Sequence, residues 1–316
     1  MLFLTEAEVR KLLPMTEAVR LMRETFAALR TGASQNQPRR RLSMPSGSVL
    51  HAMAGAHGKY FGTKIYSTNA KYGSMHFLFW LLDAETANPC ALLEANWLGQ
   101  IRTGAASGYA TDLLARKDAT TLGIVGSGFQ ARAQVEAVSA VRPLKEIRVW
   151  SRNQANREKF AAECARDFGL NVQAVPTARQ AVENMDIVAT ATWSKDPVLE
   201  ADWIAPGTHI NAMGSNNPQR RELPAELIAK ADRIACDSIE QSKIESGDLL
   251  LAWEQKDWET PRLIELKDAT ERTNAPAITI FKSNGLGVED VAAGAFVYEQ
   301  ALRLGVGRPL YSGAES

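Results

Sequence analysis

The stretch "TLGIVGSGFQARAQVEAV", residues 121 to 138, decides how this chain is read. Its first residues are apolar and β-prone, its middle is small and turn-forming, and its end repeats apolar residues at helical spacing. Within it Gly126, Gly128 and Ala131 fit the pattern G-x-G-x-x-G/A. The first glycine permits a tight turn, the second lets a pyrophosphate reach the backbone, and the small third residue lets helix and strand pack closely. The helix that follows aims unsatisfied N–H groups and a positive dipole end at the anion, so no lysine is required.

Taken alone, the pattern equally describes a glycine turn with no ligand. Here it follows a strand, opens a helix, and is followed by a second strand, "EIRVW", at the expected distance. Further apolar runs, "NVQAV", "DIVATAT", "HINAM", "RIACD" and "AITIF", alternate with helical or turn segments such as "NREKFAAECARDFG" and "PAELIAKA". That alternation predicts an α/β fold with a Rossmann-type, doubly wound parallel sheet. After the second strand, "VWSRN" places Ser151, Arg152 and Asn153 where an acidic residue would accept from an adenosine ribose. A guanidinium there pairs with a 2′-phosphate, which favours NADP(H) and leaves NAD(H) open. The bland alternative is that Arg152 is a solvated charge at a strand end.

Before residue 115 the rhythm differs. Thr5 and Glu8 fit a capping box, and Thr16 precedes an amphipathic helix, "EAVRLMRETFAALR", which Gly32 closes. Strand-like runs such as "YFGTKIYS" and "MHFLFWLLDAE" follow, then a helix rich in small residues, "TGAASGYATDLLAR". A last amphipathic helix, "VEDVAAGAFVYEQALRLG", is expected to pack back on this first part.

The 316 residues suffice for two domains, and 36 basic residues balance 36 acidic ones, so no net field favours nucleic acid or an anionic membrane. Small molecules are the expected partners. Cys90, Cys164 and Cys236 show neither metal-ligand spacing nor a disulfide framework, which points to a reducing compartment. Glu6 and Glu8 stand where a signal peptide would be basic or apolar, and "FLFWLL" is far short of a bilayer span of about 20 residues. The expected location is cytoplasmic. His57, His76 and His209 read as structural or surface residues, and no metal site is expected.

Four blocks, "EANWLGQIRTGAASGYATDLLAR", "GIVGSGFQA", "INAMGSNNPQRREL" and "IFKSNGLGVEDVAAG", resemble the ornithine cyclodeaminase and mu-crystallin family in order and spacing. The resemblance implies a subunit with a discontinuous α+β substrate-binding and dimerisation domain, residues 1–114 with 289–316, and a Rossmann domain, residues 115–288. It further implies a homodimer with its active site in the cleft, acting on a small amino or imino acid. Carried over, Arg40 in "QPRR", Lys64 in "FGTKIYS" and Arg102 in "QIRTGAAS" hold the substrate carboxylate, with Asn284 nearby. A buried carboxylate needs such neutralisation, by a planar guanidinium fork or a protonatable lysine. Cofactor roles fall to Gly126, Ser127, Gly128, Phe129 and Gln130, to Thr190, Thr192, Ala212, Met213 and Ser283, and less firmly to Ser74 and Arg220.

The chain departs from the family pattern twice. Where cyclodeaminases carry an acid/base aspartate it has Asn216, which orients water or an imine but exchanges no proton near neutral pH. Where they place a glutamate facing the distal amine it has His51. The leading expectation is therefore an oxidoreductase of an α-imino or α-amino acid, with Lys64, Arg102 and Asn216 at the reacting centre. Ornithine cyclodeamination and a cofactor-dependent ligand-binding role of mu-crystallin type are the alternatives.

Overall fold

A computed structural model of the chain describes residues 1–273 and 276–310, the side chain of Ser74 excepted. Contacts divide it into two compact units, Met1–Arg102 with Gly285–Ser316, and Thr103–Asn284. The sequence reading sets its boundaries after 114 and after 288. The first division instead falls inside one helix, Asn96–Leu114, which runs straight through the boundary despite its glycines.

Along the first unit the elements are β1 (Leu2–Leu4), α1 (Glu6–Leu12), α2 (Met15–Thr31), β2 (Ser34–Asn36), β3 (Arg40–Ser43), β4 (Ser48–His57), β5 (Tyr60–Asn69), β6 (Ser74–Asp83), β7 (Pro89–Glu94) and α3 (Asn96–Leu114). The Thr5 backbone N–H and hydroxyl both donate to Glu8 at 2.8 Å, the capping box that the sequence predicts. Gly32 closes α2 in the left-handed region, but the helix already starts at Met15, so Thr16 lies inside it. Glu6 accepts from the N–H groups of Asn96 (2.5 Å) and Trp97 (2.8 Å), so its carboxylate caps the start of α3.

In the second unit follow β8 (Thr121–Val125), α4 (Phe129–Val141), β9 (Glu146–Trp150), α5 (Gln154–Phe168), β10 (Val172–Ala174), α6 (Ala178–Val182), β11 (Ile187–Thr190), β12 (His209–Ala212), α7 (Ala225–Lys230), β13 (Arg233–Cys236), α8 (Ile239–Glu245), α9 (Gly247–Leu250), β14 (Leu263–Glu265) and β15 (Thr279–Lys282). The chain then returns to the first unit with α10 (Gly287–Leu304) and β16 (Arg308–Pro309).

The sheet of the first unit runs β16-β1-β7-β6-β5-β4-β2, with β3 paired to β4. Its long strands β4, β5 and β6 are antiparallel neighbours, and the alternation in β5 sends Tyr60, Gly62, Lys64 and Tyr66 to the buried face and leaves Ile65 exposed. Helix α10 lies against β4 and β5, and its Val288, Val291, Ala292 and Ala295 are buried.

All pairings in the second sheet are parallel, in the order β10-β9-β8-β11-β12-β15-β13-β14. Apolar clusters cover it, one around Val135, Val149 and Phe160, another around Leu199, Leu227 and Leu249. The doubly wound sheet was legible in the sequence except for β14, a three-residue strand whose "LIE" sits among polar and charged residues. Strand order reverses between β8 and β11, and ligands of open α/β sheets bind at the carboxyl ends of such a pair. Among the described residues no helix is long and apolar enough to cross a membrane, and no group of three or more His, Cys, Asp or Glu is placed to hold a metal.

Candidate active site

The glycine-rich turn stands at that switch point, between the carboxyl end of β8 and the start of α4. Gly126 has φ +121°, and a Cβ on it would overlap the Ala191 carbonyl in the turn after β11, so no other residue type fits there. Gly128 precedes α4, and a Cβ on it would meet no atom within 4 Å. Its backbone faces open space, as a pyrophosphate cradle requires. Ala131 is fully buried beneath the turn. Phe129 is exposed, whereas the Oε1 of Gln130 is buried with no hydrogen-bond partner. An orphaned acceptor at this place suits a ligand donor such as a ribose hydroxyl.

At the end of β9 the Ser127 hydroxyl donates to Ser151 Oγ (2.8 Å), and Ser151 donates in turn to the Asn153 carbonyl (3.2 Å). Asn153 uses its side-chain oxygen to cap α5 through the Asn156 N–H (3.0 Å). Arg152 is exposed. Arg220 donates to the Trp193 carbonyl (2.7 Å) and lies 4.9 Å over the indole ring, so its guanidinium is engaged within the protein. Ser74 is named for the cofactor by the sequence, and its side chain lies outside the described residues.

The short residues after β11, β12 and β15 also have partners inside the second unit. Thr190 and Thr192 donate their hydroxyls to Glu222 at 2.8 and 2.7 Å. Met213 donates its N–H to the Thr190 carbonyl (3.2 Å), and Ser283 donates its own to Ala212 (3.0 Å). Asn216 is half-buried in the turn beyond β12. Asn284 donates through Nδ2 to Asp237 Oδ1 (3.1 Å) and Ser242 Oγ (2.8 Å), so its amide protons are directed into this unit.

In the first unit, the inward register of β5 buries Lys64 to 2 % exposure. Its Nζ is 2.8 Å from both carboxylate oxygens of Asp290, with hydrogen-bonding geometry toward Oδ1. Arg102, on α3, donates from Nε to Asp290 Oδ1 (3.0 Å) and from Nη1 to Glu289 Oε2 (2.8 Å). Both acids lie in the first turn of α10, where the helix dipole favours negative charge. Burial, followed by the repulsion of Arg102, pulls Lys64 down to about 7 against the attraction of Asp290. Arg102 is held protonated by the two carboxylates.

One expectation needs correction. Arg40 is exposed on β3, and Arg39 is the arginine buried beside Lys64, to 5 % exposure. It donates to the Gly285 carbonyl (3.4 Å), and Gly285, at φ +81°, packs its bare Cα against the Arg102 guanidinium. Three cations, Arg39, Lys64 and Arg102, thus meet two anions, Glu289 and Asp290. Such a gathering of buried cations is chemically suited to a carboxylate ligand.

His51 lies on β4 across from Tyr66, stacked at 4.2 Å between ring centroids, and its Nε2 meets Thr68 Oγ1 at 3.0 Å. Tyr66 stacks in turn on Phe77 at 4.6 Å. Burial, then Arg41 and Arg39, lower His51 to about 4, so at neutral pH this wall is uncharged.

Sequence reasoning missed Arg39, Glu289 and Asp290. The acids stand in the quoted block "GVEDVAAG", and two adjacent acids in a block otherwise small and apolar were the available signal.

The profile of the ornithine cyclodeaminase/mu-crystallin family matches residues 1–304. The chain is 34% identical to a Δ1-pyrroline-2-carboxylate reductase of Bacillus cereus over 97% of this chain and 98% of that one. Among solved structures it is similar to Δ1-pyrroline-2-carboxylate reductase of Thermococcus litoralis in complex with NADH and L-proline, with TM-score 0.92, 34% identity, and 98% of this chain and 100% of that one covered. An archaeal alanine dehydrogenase dimer with bound NAD superposes with TM-score 0.91 at 31% identity, covering 98% of this chain and 99% of that one.

Proposed function

Because the chain belongs to the ornithine cyclodeaminase/mu-crystallin family, we propose that it is a nicotinamide-dependent oxidoreductase reducing the C=N bond of a small α-imino acid, or oxidising the corresponding α-amino acid. The observation that carries this reading is the burial of three cations together, Arg39, Lys64 and Arg102, in the first unit. Planar guanidinium forks beside a protonatable lysine suit a carboxylate next to the reacting carbon, which is the feature common to these substrates.

The residues at the switch point fit the cofactor: an open backbone at Gly128, a strictly glycine turn at Gly126, and the orphaned Gln130 Oε1. When bound, reduced nicotinamide supplies a hydride to the imine carbon, and a proton balances it on nitrogen. Arg39 and Arg102 grip the carboxylate as permanent charges, while Lys64, near 7, exists in both protonation states at neutral pH and is the group able to hold or give that proton. Holding the acid group rigidly is worth as much as about 7–11 kcal/mol of a barrier when the geometry is productive. Arg152, exposed just past β9, together with Ser151 supports a preference for NADP(H).

Neutral His51 and Asn216 favour this reading over cyclodeamination, since neither offers the carboxylate that a cationic tail or a proton exchange calls for. A second copy of the chain is the proposed partner. The outward sheet face carries Ile65, Leu78 and Trp80, which with Thr63, Pro89 and Leu92 line an apolar groove, and such a face in a small enzyme marks an oligomer interface.

The test is to mix the protein with NADPH or NADH and Δ1-pyrroline-2-carboxylate, related cyclic imino acids, or 2-oxo acids with ammonia, and follow absorbance of the reduced cofactor. Oxidation with at least one member is expected. No oxidation across the panel, while a reductase relative turns over in parallel, overturns the proposal. Ammonia release from ornithine without net cofactor change would select the cyclodeaminase.

A further inference from the structure

Behind the turns of the second unit lies a buried polar cluster with no part in the mechanism above. Glu222 is fully buried and accepts four hydrogen bonds. Its Oε1 receives the Thr192 N–H (2.6 Å) and hydroxyl (2.7 Å), and its Oε2 receives the Thr190 hydroxyl (2.8 Å) and the Gly214 N–H (2.7 Å). Three of the four donors belong to Thr190, at the carboxyl end of β11, and Thr192, two residues beyond it, the fourth is the Gly214 amide, and one carboxylate joins them all. Asp248 holds the Glu222 backbone, accepting from the N–H groups of Glu222 (2.6 Å) and Leu223 (2.9 Å). Lys282 stands 3.0 Å from Asp248 Oδ2 and donates to the Ser215 carbonyl at 2.5 Å. The Ser215 hydroxyl closes the turn on the Arg220 carbonyl (2.9 Å). All of these bonds except the Lys282–Asp248 contact have an end in the segment from Gly214 to Leu223, which carries Asn216.

We propose that Glu222 is a positioning residue, a four-acceptor clamp that ties the turn after β11 to the turn after β12 and so sets the place of Asn216. The proposal rests on the second unit's being the cofactor-binding half of the oxidoreductase inferred above. The carboxylate cannot be replaced by its amide, because an NH2 group has no lone pair for hydrogen bonding. In Glu222→Gln the NH2 must face either the Thr192 or the Gly214 N–H. The threonine hydroxyls can rotate to accept, but a backbone N–H cannot, so one turn is released whichever way the amide is placed.

Hydrogen exchange followed by mass spectrometry reads the clamp directly. In E222Q the peptide containing Thr192 or the one containing Gly214 is expected to exchange faster by about tenfold or more, with the β8 peptide unchanged. Turnover of the imine is expected to fall about 30-fold at constant temperature below the melting transition, with KM for the imine within about threefold, since an unmet buried donor is costly and the carboxylate grip is elsewhere. Unchanged exchange at both peptides overturns the clamp. Faster exchange with wild-type turnover overturns its positioning role, leaving a purely stabilising one. Should the wild type reduce no imine at all, the oxidoreductase reading fails and exchange alone still decides the clamp. If E222Q does not fold, Thr190→Val carries the test. It removes one hydroxyl donor in the same shape, and is expected to lower turnover about threefold to tenfold at unchanged KM, with wild-type turnover refuting the proposal.

Discussion

Lys64 makes the grip on the substrate carboxylate pH-dependent, and the size of the effect follows from its surroundings. Burial and Arg102 bring its pKa to about 7, so the free protein holds the ammonium in about nine-tenths of molecules at pH 6 and about one-tenth at pH 8. A lowered lysine is neutral above its folded pKa, so the positive charge of Lys64 is present below pH 7 and lost above it. A bound carboxylate restores the ammonium by taking up a proton. Its dissociation constant is therefore expected to rise about tenfold from pH 6 to pH 8 and about tenfold more by pH 9, until the raised pKa of the complex is passed.

Pyrrole-2-carboxylate suits the assay, being planar with a ring nitrogen that does not titrate in this range. Calorimetry in buffers of different ionisation enthalpy should show about 0.9 proton taken up per ligand at pH 8 and about 0.1 at pH 6. His51, near 4, does not contribute in this window. Lys64→Arg keeps the charge at every pH and should abolish the uptake. Affinity flat from pH 6 to 9, or uptake persisting in K64R, would refute the assignment of the titration to Lys64.

The neighbouring arginines separate by variant. Arg39→Met removes a buried charge and should lower kcat/KM for the imine about 10- to 100-fold, whereas exposed Arg40→Met should leave it within about twofold; the reverse order would restore Arg40 to the site. Arg152→Ala should reduce kcat/KM for NADPH about tenfold or more and leave that for NADH within about threefold, and equal losses with both cofactors would sink the 2′-phosphate reading. Trp80→Asp puts a charge on the apolar sheet face. Sedimentation should then show a dimer in the wild type and a monomer in the variant, and a variant that stays dimeric places the interface elsewhere.

The second sheet was legible because its signal is local. A glycine turn, a parallel strand and a helix follow one another within about twenty residues, and each strand buried on both faces reads as an apolar run. The division inside α3 was not legible, since what separates the two ends of that helix is which distant elements each end packs against. The choice between Arg39 and Arg40 failed for a related reason. The motif "QPRR" offers two chemically identical side chains, and only the structure shows that β3 starts at Arg40 with all its residues exposed while Arg39, just before it, is buried.

The buried charges mark how far a sequence can be pushed. Lys64 alternates in step with Tyr60, Gly62 and Tyr66, so the period of β5 alone places an ammonium on a covered face. A cation there demands an anion, because leaving it unpaired in the interior is prohibitive. The demand can thus be read without a structure. Its answer cannot, since Asp290 is 226 positions away in sequence and comes to Lys64 only through α10. Pairing then explains the site's chemistry. Asp290 bonds both Lys64 and Arg102, and Arg102 also holds Glu289, so a change in the charge of Lys64 is felt by both acids.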